Sequence, residues 1–217
     1  MLPQPKAVIF DWDDTMVTTW EKTYAAFNAA LVAMGEAEWT HEKIHAFCGP
    51  SAQDLFTQLF GDRWQEAEKV FYDEFERQSA KGVTLLEGAA DVAAALHSKG
   101  LYLVVISNKR GPFLRAEVEQ SGIAHFFKKI VGAGDAEKDK PDPAPVHLAL
   151  ADSGIAPGPD VWFVGDSITD MACAHATGCT PVLLETTKGV RDRLSQTPPA
   201  AVYGSHSELK VFIDTLS

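Results

Sequence analysis

Cysteine is scarce in this sequence, and basic side chains are outnumbered by acidic ones. The cysteines, Cys48, Cys173 and Cys179, form no Cys-x-x-Cys pair, and their odd number favours reduced thiols in a cytoplasmic compartment over a disulfide framework. The 19 basic and 30 acidic side chains give a formal charge of −11, without a basic stripe that would neutralise nucleic-acid phosphates. A nucleic-acid partner is therefore disfavoured, whereas a small phosphorylated ligand needs only a few local cations.

Long hydrophobic runs and low-complexity segments are also missing. The opening segment, MLPQPKAVIFDWDD, has a short apolar run before its acids, too short for a signal peptide or a membrane span. A hydrophobic content of 46 % with 23 % charged residues is typical of a soluble globular protein. We therefore expect a cytoplasmic chain without a membrane partner, and its 217 residues correspond to between one and two domains.

Two hydrophobic patterns divide the chain. Apolar residues at helical spacing from Trp20 to Met34 predict an amphipathic helix that ends at Gly35, and the same spacing from Trp64 to Phe75 predicts another. No convincing strand is predicted within residues 17–82. Residues 17–82 are therefore predicted to form an all-helical cap domain.

The remaining residues alternate short apolar runs with helical segments. The predicted strands are 6–10, 101–106, 130–131, 161–164 and 182–184. The predicted helices are 89–99, 112–122, 143–152, 170–177 and 208–216, the last with Ser207 as its N-cap. This alternation predicts an α/β fold, with a Rossmann-like parallel sheet and helices on both faces, formed by residues 1–16 and 83–217.

Polar residues follow several of these predicted strands. In open α/β sheets, the ligand site lies beyond the carboxyl ends of the strands. The residues at those ends are Asp11, Asp13, Asp14, Thr15, Ser107, Asn108, Asp166, Ser167 and Asp170. A single Asp at such a position is commonly a helix cap, but carboxylates converging from distant segments require a cation. Oxygen ligands without clustered His or Cys favour Mg²⁺, before Ca²⁺.

A phosphate ligand would also require a basic group. Lys140 is the best candidate, because Pro141 follows it and keeps its backbone out of a helix. Lys138 is the competing choice, and Lys109 is a possible second cation.

Four short motifs, in order along the chain, resemble those of the haloacid dehalogenase (HAD) superfamily. They are D-W-D-D-T at 11–15, V-V-I-S ending at Ser107, Lys140-Pro141, and G-D-S-I-T-D at 165–170. The resemblance covers essentially the whole chain. The helical insertion after the first motif resembles the cap of the phosphoglycolate phosphatase-like branch. One departure is Asp14, where the family often has Gly.

The resemblance implies a role for each motif. Asp11 would be the nucleophile that forms an aspartyl-phosphate, and Asp13 the general acid and base. Mg²⁺ would be held by Asp11, the main-chain carbonyl of Asp13, Asp166 and Asp170, or Asp170 would instead orient Lys140. The implied substrate contacts are Ser107, Asn108, Lys109, Lys140 and, in the cap, Gly49 and Ser51.

An acid at position 13 is the feature that separates phosphatases from other branches of this superfamily, because phosphate-ester hydrolysis requires protonation of the leaving oxygen. We therefore predict a Mg²⁺-dependent phosphoric monoester hydrolase that acts on a small phosphorylated metabolite, as a monomer or a homodimer. The alternative is a sugar-phosphate mutase resembling β-phosphoglucomutase, which uses the same two aspartates. A non-catalytic phospho-acceptor module, as in receiver domains, is disfavoured by the D-x-D pair and the helical insertion.

Overall fold

The described residues form a six-stranded parallel sheet, a short antiparallel pair of strands, and helices in each of two compact units. The structure, a computed structural model, describes residues 2–47, 52–186 and 190–216. Its strands are Ala7–Phe10 (β1), Val17–Thr18 (β2), Thr84–Leu85 (β3), Tyr102–Arg110 (β4), Lys129–Ala133 (β5), Val161–Gly165 (β6), Thr180–Leu184 (β7) and Ala201–Tyr203 (β8).

The α-helices are Trp20–Ala33 (α1), His41–Phe47 (α2), Ala52–Phe60 (α3), Trp64–Ser79 (α4), Ala89–Ser98 (α5), Gly111–Gln120 (α6), Ala144–Leu150 (α7), Ile168–Thr177 (α8) and His206–Asp214 (α9). Short 3₁₀ turns lie at Gly61–Arg63, Ala124–Phe126 and Arg191–Arg193. Within the described ranges, none of the helices has the length and apolarity needed to span a bilayer.

The chain divides into two compact units. One comprises the residues up to Thr18 together with those from Thr84 onward, and the other is Thr19–Val83. In the first unit the strand order of the larger sheet is β5-β4-β1-β6-β7-β8, with every neighbouring pair parallel. Strands β2 and β3 form a separate antiparallel pair. The predicted parallel α/β fold is confirmed.

Both faces of the larger sheet are covered, as in other parallel sheets. Ile9 and Phe163 pack in one core cluster with residues of α7 and α8. Trp162, whose side chain points to the opposite face because strand residues alternate, stacks on Phe212 of α9 with ring centroids 5.9 Å apart. The predicted placement of helices on both faces is therefore confirmed.

The second unit has an apolar core of its own. Helices α1 and α4 pack against each other, and Phe27, Leu31, Ile44, Phe56 and Ala67 are among its buried side chains. The described residues of this unit are helical or irregular. The spacing of apolar residues from Trp20 is thus explained by burial of one helix face.

Several element ends differ from the predicted ones. The last helix begins at His206, and its N-cap is Ser205, whose hydroxyl accepts a hydrogen bond from the N–H of Glu208; the predicted cap, Ser207, was wrong. Helix α8 begins two residues before Asp170, because Ser167 is its N-cap. The strands β2, β3 and β8 were not predicted, since two or three residues are too short for a hydrophobic period.

Candidate active site

The polar residues predicted to share a site follow neighbouring strands. Asp11 and Asp13 follow β1, Ser107 lies in the last part of β4, and Asp166 follows β6. Because β1 is paired in parallel with both β4 and β6, the carboxyl ends of these strands meet at one edge of the sheet. The hydroxyl of Thr15 thus donates a hydrogen bond of 3.1 Å to Oδ1 of Asp166, 151 positions away.

Lys140 brings a positive charge to this edge of the sheet. Its Nζ lies 2.6 Å from Oδ1 of Asp11 and 2.7 Å from Oδ1 of Asp170, and it donates to the carbonyl of Ile106 at 3.0 Å. The side chain of Lys140 is 4 % exposed, whereas that of Lys138 is 70 % exposed. The structure therefore brings Lys140, rather than Lys138, to the carboxylates.

The side chain of Asn108 holds the backbone of Lys140 by two hydrogen bonds. Nδ2 of Asn108 donates to the Lys140 carbonyl at 2.9 Å, and the Lys140 N–H donates to Oδ1 of Asn108 at 3.0 Å. These bonds satisfy backbone groups that lie outside a helix or strand. The amide that the motif suggests as a substrate contact is thus hydrogen-bonded to the loop that carries Lys140.

Burial and opposite charge have opposing effects on the pKa values of Asp11 and Lys140. Burial raises the pKa of Asp11 to about 7; the positive charge of Lys140 opposes this rise, and the negative charges of Asp170 and Asp13 add to it. For Lys140, burial disfavours the ammonium form, but the carboxylates of Asp11 and Asp170 more than offset this, so its pKa lies above the usual lysine value. Lys140 is therefore a permanent cation beside the carboxyl group of Asp11.

Three carboxylates converge around this lysine. Asp11, Asp166 and Asp170 each place an oxygen within 4.8 Å of the other two. Burial raises the pKa of Asp166 well above its usual value, and the charges of Asp11 and Asp170 reinforce this. With all three ionised, Lys140 leaves a net formal charge of −2, which one divalent cation would balance. Because every side-chain atom that could ligate a metal ion here is a carboxylate oxygen, the cluster fits Mg²⁺.

Asp170 differs from the other two carboxylates because hydrogen bonds engage both of its oxygens. Oδ1 faces Lys140, while Oδ2 accepts from the N–H of Ser167 at 3.0 Å and from its hydroxyl at 2.6 Å. Ser167 and Asp170 form a reciprocal capping box at the start of α8. The absence of a side chain at Gly165 permits this approach, since a Cβ there would lie 2.4 Å from Cγ of Asp170.

Asp13 and Ser107 lie beside the carboxylate cluster, together with Lys109. The Ser107 hydroxyl and Oδ2 of Asp13 are 3.5 Å apart, and the N–H of Lys109 donates to Oγ of Ser107 at 3.1 Å. Nζ of Lys109 lies 2.5 Å from Oδ1 of Asp13 and also contacts Oε2 of Glu117. Burial disfavours the charge on Lys109, but these two carboxylates outweigh it and raise its pKa.

Glu117 was not among the predicted site residues. It lies in α6 between Leu114 and Val118 and is 3 % exposed, and its Oε2 accepts a hydrogen bond of 3.1 Å from the indole N–H of Trp12. The signal in the sequence was a carboxylate at a position of the apolar stripe, because charged side chains are rarely buried unless they are paired. Its partner could not be found by spacing alone.

Asp14 adopts a backbone conformation that usually favours glycine. Its φ is 55°, in the left-handed region, which Asp tolerates better than most residues with a side chain. Its N–H donates to the carbonyl of Val17 at 2.8 Å, and the Thr186 hydroxyl donates to its carbonyl at 3.0 Å. The turn after Asp13 is therefore formed without glycine. The predicted cap contacts Gly49 and Ser51 lie outside the described residues.

Comparison with known proteins gives consistent matches over this chain. The family model for haloacid dehalogenase-like hydrolases matches residues 8–184. A phosphoglycolate phosphatase from Shigella boydii is 28 % identical and covers 94 % of this chain and 90 % of its own length. A solved HAD-superfamily hydrolase from Ehrlichia chaffeensis is 28 % identical, with a TM-score of 0.68 and coverage of 100 % of this chain and 99 % of its own.

A further solved structure, a haloacid dehalogenase-like family hydrolase from Streptococcus pneumoniae, shares the fold at 22 % identity, with a TM-score of 0.86 and coverage of 96 % of this chain and 98 % of its own. The family model and the curated phosphoglycolate phosphatase relatives confirm the predicted family and the predicted enzyme class. With its motif residues gathered at one sheet edge and the family model matching most of its length, this chain belongs to the haloacid dehalogenase-like hydrolase family.

Proposed function

We propose that this hydrolase is a Mg²⁺-dependent phosphatase, which cleaves a small phosphate monoester through an aspartyl-phosphate on Asp11. The main support is the buried cluster of three carboxylates around Lys140, with a net formal charge of −2. Such a site would hold a divalent cation, and Lys140 would supply a positive charge for a phosphoryl group. The relatives named phosphoglycolate phosphatase match 94 % of the chain, and phosphoglycolate is therefore the first substrate to test.

Asp11, Asp166 and the main-chain carbonyl of Asp13 would hold the metal ion. Asp170 would act through Lys140, because both of its carboxylate oxygens already accept hydrogen bonds from Lys140 or Ser167. When bound, Mg²⁺ lowers the repulsion between an anionic nucleophile and the phosphate and stabilises charge on the transferred oxygens.

In the proposed reaction, Asp11 forms and breaks the bonds to phosphorus, and Asp13 donates and then accepts the proton. A carboxylate oxygen of Asp11 attacks phosphorus while the bond from phosphorus to the leaving oxygen breaks, and Asp13 gives that oxygen a proton. Asp13 then accepts a proton from the water that hydrolyses the aspartyl-phosphate, which releases phosphate and restores Asp11. Ser107 and Lys140 hold the phosphoryl oxygens by a hydrogen bond and by charge.

Residues 17–82, which the sequence predicts to form a helical cap, are assigned the role of contributing substrate contacts, among them Gly49 and Ser51. This role, the cytoplasmic location and the choice between monomer and homodimer remain predictions from the sequence.

Substitution of the nucleophile tests the proposal. Asp11→Asn preserves the shape of the side chain but removes its negative charge, and we expect Mg²⁺-dependent phosphate release to fall by about 10³-fold or more. The matched control is Asp192→Asn at an exposed position of the same unit, with unchanged turnover expected. Circular dichroism verifies that both variants fold, and activity retained by Asp11→Asn would contradict the proposal.

The reaction products separate a phosphatase from a mutase. Phosphate release in step with loss of the ester supports the phosphatase. Accumulation of an isomeric sugar phosphate without free phosphate would instead identify the mutase reaction. Rapid quenching followed by peptide mass spectrometry should detect the phosphoryl group on Asp11.

A further inference from the structure

A buried chain of polar contacts leads from the interior to Asp13. The indole N–H of Trp12 donates to Glu117, and both Glu117 and Asp13 contact the ammonium group of Lys109. The side chains of Lys109 and Glu117 are 6 % and 3 % exposed, and Trp12 is fully buried. The phosphatase mechanism described above uses Asp13 but assigns no role to the other three side chains.

Stability alone is a weak explanation for this buried ion pair. Removing two charges from water is costly, and replacing a buried ion pair with apolar side chains of similar volume is often neutral or stabilising. Well-placed buried charges are more readily explained by a geometric task. Here the ammonium group has three N–H donors in all, and Asp13 and Glu117 each accept from it.

The contacts of Asp13 indicate what that task is. Lys109 engages Oδ1 of Asp13, while Oδ2 lies 3.5 Å from the hydroxyl of Ser107. Ser107 is in turn fixed by the backbone N–H of Lys109. One carboxylate oxygen of Asp13 is thus anchored, and the other is directed towards the side chain that binds the phosphoryl group in the proposed mechanism.

We propose that Lys109 and Glu117 are positioning residues for the acid step: Glu117, held by Trp12, orients Lys109, and Lys109 orients the Asp13 carboxyl towards the leaving oxygen. The inference rests on the proposed phosphatase function. The proton passes from Oδ2 of Asp13 to the leaving oxygen as its bond to phosphorus breaks. Glu117 shares the ammonium group and balances its charge, so Lys109 is not paired with Asp13 alone. This assigns Lys109 to Asp13 instead of to the substrate.

Dependence on the leaving group distinguishes positioning of an acid from general support of the fold. An alkyl phosphate requires a proton on its leaving oxygen, whereas dinitrophenyl phosphate loses a stable anion and does not. The ratio kcat/KM reports the steps up to the first irreversible one, here the phosphorylation of Asp11, and so excludes the later hydrolysis step. The two kcat/KM values therefore report attack by the same nucleophile on one substrate that requires the general acid and on one that does not.

The test variant is Glu117→Gln, with the exposed Glu119→Gln in the same helix as its matched control. We expect kcat/KM for the alkyl phosphate to fall by about 10- to 100-fold in Glu117→Gln, within the contribution of general acid catalysis. For dinitrophenyl phosphate we expect a change below about threefold. Glu119→Gln should match the wild type with both substrates.

An equal fall with both substrates would show a purely structural role and overturn the inference, as would unchanged kinetics. If Glu117→Gln does not fold, the paired variant Lys109→Met/Glu117→Leu removes both charges at similar volume and should show the same selective loss. Failure of the phosphatase proposal has a separate signature: the wild type would lack Mg²⁺-dependent phosphate release, or Asp11→Asn would retain it.

Discussion

Asn108 follows the motif serine, and its position there suggests a substrate contact. Its amide group is instead hydrogen-bonded to the N–H and the carbonyl of Lys140. In the proposed mechanism Lys140 pairs with the phosphoryl group throughout its transfer, so displacement of Lys140 should act mainly on turnover. Loss of a direct contact with the rest of the substrate should act mainly on binding. The two roles can therefore be separated by measurement.

For Asn108→Ala we expect kcat to fall by about tenfold while KM changes by less than about twofold, because misplacement of a catalytic group acts on the chemical step. The loss of two hydrogen bonds should also lower the free energy of unfolding by about 1–3 kcal/mol. Steady-state kinetics with Mg²⁺ and urea denaturation measure the two effects. A rise in KM alone would assign Asn108 to the substrate.

Whether a site residue could be predicted depended on its local context. Asp11, Ser107 and Asp166 each follow a buried apolar run, so the strand-end rule found them from the sequence. The sequence favoured Lys140 over Lys138 because Pro141 follows it, and of the two side chains it is that of Lys140 that is buried beside the carboxylates. Glu117 could not be assigned to Lys109, because a buried ion pair is defined by distance in space.

At the scale of elements, α6 starts against β5 with almost no space between the two backbones. A Cβ added to Gly132 of β5 would lie 2.4 Å from Cα of Gly111, the first residue of α6. Gly132 also donates its N–H to Asp135 at 2.8 Å, and Asp135 is paired with Arg115 of α6. The glycine pair thus sets the position of the helix that carries Glu117.

Gly132→Ala should displace α6 and lower the free energy of unfolding by about 1–3 kcal/mol, the range for overpacking of a tight contact. Gly158→Ala is the matched control, since a Cβ there would meet only Oδ1 of Asp160, at an ordinary 3.6 Å. Urea denaturation compares the two variants. Equal free energies of unfolding for the two variants would show that α6 and β5 can move apart without loss of stability.

Elements with a long apolar run were predicted well, and the shortest ones were not. Strands β1, β4 and β6 are buried on both faces and therefore stand out as continuous hydrophobic runs. Strand β8 has only three residues, each half-buried, and carries no such run. The strand order was not predicted, because which strands pair is decided by packing of the whole chain.

For the whole molecule, the acidic cluster links metal binding, pH and stability. The pKa of Asp11 is raised from its usual 3.8 to about 7 in the folded chain. Between those values the folded state binds more protons than the unfolded state, so Asp11 contributes stability at low pH that is lost as the pH rises through about 7. A metal ion requires the carboxylates in their ionised form and therefore competes with these protons.

We therefore expect Mg²⁺ to raise Tm more at about pH 8 than at about pH 6, because fewer protons compete for the cluster at the higher pH. At about pH 8, a Mg²⁺ concentration about 100 times the Kd at that pH would add about 2.7 kcal/mol of stability, and the same concentration is used at about pH 6. Differential scanning calorimetry with and without Mg²⁺ measures the shift at both values. Asp166→Asn is the control and should lose most of it; an equal shift at both pH values would contradict the expectation.

The central position of β1 in the sheet has a consequence for the order in which the chain is made. This strand precedes the proposed nucleophile Asp11 and is synthesised before both of its partners, β4 and β6, which end only at Arg110 and Gly165. At about 5–20 residues per second, β1 waits on the order of ten seconds or more with both edges unpaired. An unpaired apolar strand is a template for association with other chains. The position of β1 between β4 and β6 thus exposes the nascent chain to aggregation until both partner strands have been synthesised.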